Sequence, residues 1–126
     1  MRPKTLANVA EFTLRGEAFD SCLANFLDEF YDAPAAILLM DVPPMLAPRF
    51  GEPGRVQDAY LAAAAEELAR AHRFVIPVWV DDDARKLHRP WFASPLAAVR
   101  TVLLLESPPA FRQRNLFVSE NALTRV

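Results

Sequence analysis

Six apolar side chains, Phe19, Cys22, Leu23, Phe26, Leu27 and Phe30, recur at i, i+3, i+4, i+7, i+8 and i+11. That spacing places them on one stripe of an α-helix and on no single face of a strand. Asp20, Asp28, Glu29 and Asp32 occupy the opposite side and Pro34 follows, so a helix over residues 17–31 is predicted. A stripe with three phenylalanines must be covered, and the flanking sequence supplies helices to cover it. Leu6, Val9, Ala10 and Leu14 share a face between Thr5 and Arg15, with Gly16 as a stop. From 55 to 71 the residues Ala59, Tyr60, Ala63, Ala64, Glu67, Leu68 and Ala71 line one side of a further helix. Its alanines favour the helical state and let neighbours approach closely. Arg70, His72 and Arg73 suit its C-terminal dipole.

Between these helices, the apolar run 35–40 is either a buried strand or a short helix begun after Pro34, and we read it as helix. Val42-Pro43-Pro44, Pro48 and Pro53-Gly54 make 42–54 a loop. Pro77 argues against a central strand over 74–80, leaving an irregular segment or a single helical turn. Asp82 or Asp83 can cap a short helix over 84–88 that Pro90 ends. Ser94-Pro95 is read as the start of a helix to Glu106. Ser107-Pro108 is read as opening a short one with Phe111 inward and Arg112, Gln113 and Arg114 outward. Ser119-Glu120 is read as opening a C-terminal helix with Leu123 inside. The expected fold is all-α, a single-domain bundle of about five to seven helices over residues 1–126.

A chain of 126 residues buries about two-thirds of its unfolded surface, so one core suffices without metals or disulfides. Cys22 is the single cysteine, which excludes an internal disulfide and any zinc site needing two thiolates from this chain. Cys22 is read as an inert buried thiol and the compartment as a reducing cytoplasm. Neither a signal-peptide core nor a membrane span is legible. The hydrophobic fraction of 52% leaves apolar surface for a partner. Net charge is −2, but residues 1–83 carry 7 basic against 14 acidic side chains, a net of −7. Residues 84–126 carry 7 (Arg85, Lys86, Arg89, Arg100, Arg112, Arg114 and Arg125) against Glu106 and Glu120, a net of +5. Either the two regions fold against each other and their fields cancel, or the basic third faces an acidic partner or a phosphate backbone.

No catalytic constellation is legible. His72 and His88 lack a second ligand at helical metal-site spacing; His72 is read as a helix-end cap, His88 as a residue making one structural hydrogen bond. Asp81, Asp82 and Asp83 are consecutive and cannot all converge on a cation. Three glycines, Gly16, Gly51 and Gly54, permit neither a P-loop nor a dinucleotide fingerprint, and no serine sits in a nucleophile elbow. No catalytic residue, cofactor or metal ligand is assigned.

Both tryptophans, Trp79 and Trp91, lie in the stretch 76–117, which also holds the polar run Arg112-Gln113-Arg114-Asn115. The order Pro77-Val78-Trp79, then Arg89-Pro90-Trp91-Phe92, then Glu106-Ser107-Pro108-Pro109-Ala110-Phe111-Arg112-Gln113-Arg114-Asn115-Leu116-Phe117-Val118 resembles the C-terminal accessory region of a group of bacterial helix-turn-helix proteins. Those proteins are often encoded beside nucleotidyltransferase-like proteins in an arrangement resembling toxin-antitoxin pairs. The likeness spans roughly residues 57–126, and no DNA-binding unit is legible ahead of it. It therefore implies a protein-binding, antitoxin-like role with a nucleotidyltransferase-like partner, rather than regulation of transcription, and it implies no catalytic residue. Arg89, Trp91, Arg112, Arg114 and Asn115 are the candidate partner-binding residues, with self-association left open. The alternatives are a nucleic-acid-binding module using the basic third, and a small enzyme with a pocket around His88 and Trp91.

Overall fold

A computed structural model describes residues 2–125 and shows an all-α fold. Thr5 caps helix α1 (Leu6–Leu14): its hydroxyl accepts the Asn8 N–H while the Asn8 amide oxygen accepts the Thr5 N–H, a reciprocal capping box. Gly16, at φ 104°, makes the left-handed turn that ends α1. Helix α2 (Phe19–Asp32) packs against α1 and buries the whole predicted stripe, from Phe19 to Phe30. The run after Pro34 winds into a 3-10 turn, Ala36–Leu39, that buries only Leu39.

Helix α4 (Glu52–Ala71) is the axis of the molecule. Its 20 residues rise about 30 Å. Leu61, Ala62, Ala65, Leu68 and Ala69 face a core built with α1, α2, Leu39, Leu46 and Val80. Ala59 and Ala63 face a second, smaller core of Leu87, Ala110, Phe111, Leu116 and Val118. Tyr60 and Leu123 pack against both. Alanine on opposite sides of one helix is what allows two layers to close on it at short range.

The prolines of 42–54 do not keep that segment a loop throughout. Helix α3 (Ala47–Phe50) forms within it, and α4 begins at Glu52, earlier than the predicted 55, with Pro53 in its first turn where a missing N–H costs nothing. Gly54, read as a turn residue, is helical and buried. A Cβ there would approach the Leu46 carbonyl oxygen to 2.5 Å and the Ala47 nitrogen to 2.8 Å, so glycine is required for α3 to cross α4. Asp58, one turn on, accepts the Leu46 N–H (2.7 Å) and the Ala47 N–H (3.0 Å) and fastens the crossing. Burial pushes the Asp58 carboxyl above its ordinary value, against those two N–H groups and Arg85, which pull it down.

Past α4 the chain makes two 3-10 turns, Val78–Asp81 and Asp83–Arg85, the second capped by the Asp82 carboxylate as anticipated. Strand β1 (Trp91–Phe92), helix α5 (Ala97–Glu106), helix α6 (Pro109–Arg112) and strand β2 (Leu116–Phe117) follow. The two-residue strands pair in parallel, Trp91 with Leu116 and Phe92 with Phe117, a connection the sequence did not suggest.

Three serine caps are corrected. Ser94 accepts the Leu96 N–H in a turn, and α5 starts only after Leu96. Ser107 is fully buried; its hydroxyl donates to the Leu116 carbonyl (2.9 Å) and accepts the Val118 N–H (3.3 Å). The start of α6 is capped instead from α4, by Glu67 accepting the Ala110 N–H at 3.0 Å. Ser119 opens a turn and not a helix. The tail is strapped onto α2 by the Tyr31 hydroxyl donating to the Leu123 carbonyl (2.7 Å) and by Arg125 on Asp28 (3.0 Å).

Replacing glycine by alanine inside an exposed helix normally stabilises by about 1 kcal/mol. Here the backbone collision reverses the sign: Gly54→Ala is expected to lose roughly 1–3 kcal/mol, measured by urea unfolding. A gain in stability would show that α3 does not bear on α4 in solution.

Candidate functional site

The polar run 112–115 divides between interior and surface. Arg114, read as outward-facing, is 1% exposed, the clearest correction to the sequence-based view. Its Nη1 donates to the Ala110 carbonyl (2.7 Å), and its Nη2 to the Val80 carbonyl (2.9 Å) and to Glu66 Oε1 (3.0 Å). Glu66, 4% exposed on α4, also receives Arg70 at 3.3 Å through its other oxygen. Arg114 Nε is buried without a partner. One guanidinium thus ties α4, the 78–81 turn and α6 together, which only a planar, multi-donor cation can do.

Asn115 continues this framework. It sits at φ 62°, a left-handed conformation that asparagine tolerates. Its side-chain amide donates to the Leu87 carbonyl (2.7 Å), and its own carbonyl accepts the Trp91 N–H (2.8 Å). With Leu87 N–H on the Arg114 carbonyl and Ala93 N–H on that of Phe117, these bonds form the parallel ladder that sets Trp91 in place. Arg114 is thus enclosed within the fold, while Asn115 stays half-buried, with its side-chain amide and its carbonyl engaged in the ladder.

Trp91 and Arg89 lie at the surface this ladder creates. The half-buried indole of Trp91 is a wall shared by two open clefts. The first, about 600 Å³, lies between α2, α4 and the C-terminal strap, with Leu23, Leu27 and Val118 as apolar walls and Asp20, Gln57 and Tyr60 as polar groups. Burial, and secondarily the Asp20 charge, pushes the Tyr60 phenol up to about 12, so it remains protonated and a donor at any ordinary pH. Gln57 Oε1 is buried there without a hydrogen-bond partner. The second cleft, about 670 Å³, holds Glu52, Arg55, His88 and Arg89. Arg89 is exposed beside it. Arg112 is exposed on α6, with Nη2 on the Ser107 carbonyl at 2.8 Å.

The basic third is largely engaged within the fold. Arg85 is as buried as Arg114, donating to the Asp58 and Pro43 carbonyls and lying 4.8 Å over the Trp79 ring, whose Nε1 donates to the Leu39 carbonyl. Burial pulls the Arg85 guanidinium below its ordinary value, while Asp58 and Asp82 hold it up. Lys86 pairs with Asp83 and Arg125 with Asp28. Among the described residues Arg85, Arg89, Arg100 and Arg112 are the cations of this third outside ion pairs; Arg85 is held by backbone carbonyls, and Arg100 stacks 5.0 Å over Phe92. The opposite charges of the two regions thus meet within the molecule at these pairs and around buried Arg85 and Arg114.

His72 caps the end of α4, its Nδ1 2.9 Å from the Leu68 carbonyl, as its position suggested. His88 is exposed at the rim of the second cleft rather than in a closed pocket. Cys22 is buried in the main core, and burial pushes its thiol up, away from reactivity. No group of three or more His, Cys, Asp or Glu converges among the described residues, and no helix there is long and apolar enough to cross a membrane. Sequence reasoning missed Glu66, Asp58 and Arg85 as buried partners. The available signal was an acid at 58 and another at 66, about two helical turns apart with the alanine run 62–65 between them. The chain matches no protein-family model, no curated protein and no solved structure.

Removing one partner of a buried ion pair strands the other. Arg114→Met is expected to lose about 3–5 kcal/mol, and Arg114→Met with Glu66→Gln to lose less than the sum of the single changes by at least about 1 kcal/mol. Urea unfolding of the four proteins of the cycle measures this coupling, and additive losses would contradict it.

Proposed function

We propose that this chain is a non-catalytic protein-binding domain, antitoxin-like or accessory in role, whose partner is a nucleotidyltransferase-like protein. The observation that carries the reading is Trp91: a large aromatic ring, set in place by a backbone ladder, half in water between two open clefts, with Arg89 beside it. Tryptophan and arginine at the centre of a shaped surface are the residues that dominate protein–protein affinity. A ridge flanked by apolar hollows offers a partner two places to insert side chains. The class of partner is supported by the resemblance of residues 77–118, and the ladder that orients Trp91 is built from residues of that same stretch.

Co-expression with the product of the neighbouring gene, followed by affinity capture, tests the proposal. A complex is expected, and Arg89→Glu and Trp91→Ala should each weaken it at least tenfold in calorimetry, with unchanged circular dichroism. Arg89 is exposed, so its substitution reads contact rather than folding. A folded chain that forms no complex would overturn the reading.

A further inference from the structure

Helix α5 is covered by the rest of the fold on one side only. Of its ten residues Leu103 alone is buried, at 4% exposure, whereas Leu105 is 79% exposed. Ala97, Ala98, Thr101, Val102, Leu104 and Leu105 all face water on the side away from Leu103. They form a patch of roughly 500 Å², near the top of the range for the largest apolar patch on a monomer.

No charge specifies what meets this patch. The helix carries two ionised residues, and both are turned back onto their own chain: Arg100 Nε donates to the Ser94 carbonyl (3.3 Å), and Glu106 Oε1 accepts the Glu120 N–H (3.4 Å). The Thr101 hydroxyl donates to the Ala97 carbonyl (3.4 Å). The outward surface is therefore neutral and its hydroxyl donor is satisfied within the helix, so it complements an equally neutral surface.

Its shape is graded. Ala97 and Leu104 lie in one row of the helix, and Ala98 and Leu105 lie in the adjacent row, with Thr101 midway. Both rows run from small at the N-terminal end to large at the C-terminal end. A second copy of this helix, turned antiparallel about a twofold axis at Thr101, sets Leu104 over the partner copy's Ala97 and Leu105 over its Ala98, and does so twice. An isologous contact requires such self-complementarity. The area agrees: two patches together remove about 1,000 Å², the lower limit for a specific interface, which fits a reversible dimer rather than an obligate one.

We infer that α5 is a homodimerisation element, pairing antiparallel with α5 of a second copy about a twofold axis at Thr101. This surface is distinct from the Trp91 ridge, so its test stands or falls apart from the proposed partner.

Sedimentation equilibrium of the whole chain should show a concentration-dependent dimer, and Leu105→Glu should leave a monomer with unchanged circular dichroism. Ala98→Leu should lower the association constant about tenfold by overpacking. Combining Ala98→Leu with Leu105→Ala should restore it, because the two positions face each other. Thr101→Cys, on the axis, should form an intermolecular disulfide on oxidation, whereas Leu105→Cys should not, since its two copies lie about 12 Å apart along the helices. A chain that stays monomeric up to millimolar concentration overturns the inference. So does a dimer that survives Leu105→Glu, a failure of the swap or the Thr101 cross-link, or a monomer that instead floats with anionic lipid vesicles.

Discussion

The guanidinium of Arg114 lies in the interior with its donors on the Ala110 and Val80 carbonyls and on the Glu66 carboxylate. The 78–81 turn and α6 are joined to α4 by that contact. A buried cation is expensive unless its donors are matched, and here two of the three matches come from elements more than thirty residues away in sequence. The charge cannot be satisfied until α6, the 78–81 turn and α4 are assembled together. The adjacent Asn115 has a left-handed backbone and carries the ladder toward Leu87, Trp91 and Ala93.

Arg85 plays the corresponding part at the other half of α4. It donates to the Asp58 carbonyl, one turn beyond the crossing that Gly54 permits, and reaches the Pro43 carbonyl on the way into α3. Two buried arginines thus grip an alanine-rich helix at two levels along its middle, about two turns apart. Alanine provides closeness but little contact area, so α4 gains from polar anchors what its side chains lack in bulk. The opposite net charges of the two parts of the chain are the sequence trace of this arrangement: acids on α4 and α2 meet bases from the C-terminal third.

Two surfaces remain after this assembly. The Trp91 ridge is held in place by the strands beneath it, bonded through Asn115 on one side and Ala93 on the other. Helix α5 is attached more lightly, through Leu103, the Glu106 bond to the Glu120 N–H and Arg100 over the Phe92 ring. The proposed partner recognition rests on the first surface and the inferred self-association on the second.

Local pattern alone determined much of this protein. The stripe from Phe19 to Phe30, the alanine helix, the cap at Asp82 and the helix-end role of His72 all depend on contacts within a few turns of one helix, and periodicity records such contacts directly. Serine helix starts were the weak point: Ser94, Ser107 and Ser119 carry the local signal, yet the Ser94 and Ser119 hydroxyls close turns onto the N–H two residues on, and Ser107 is claimed by the Val118 N–H that packing brings to it. Which arginines point inward was decided by the tertiary structure, because Arg112 and Arg114 are two residues apart on one short segment and differ only in what lies across from them. For Arg114 that is Glu66, 48 residues earlier in the chain, and burial of a charge is settled by the partner it finds there rather than by its neighbours in sequence.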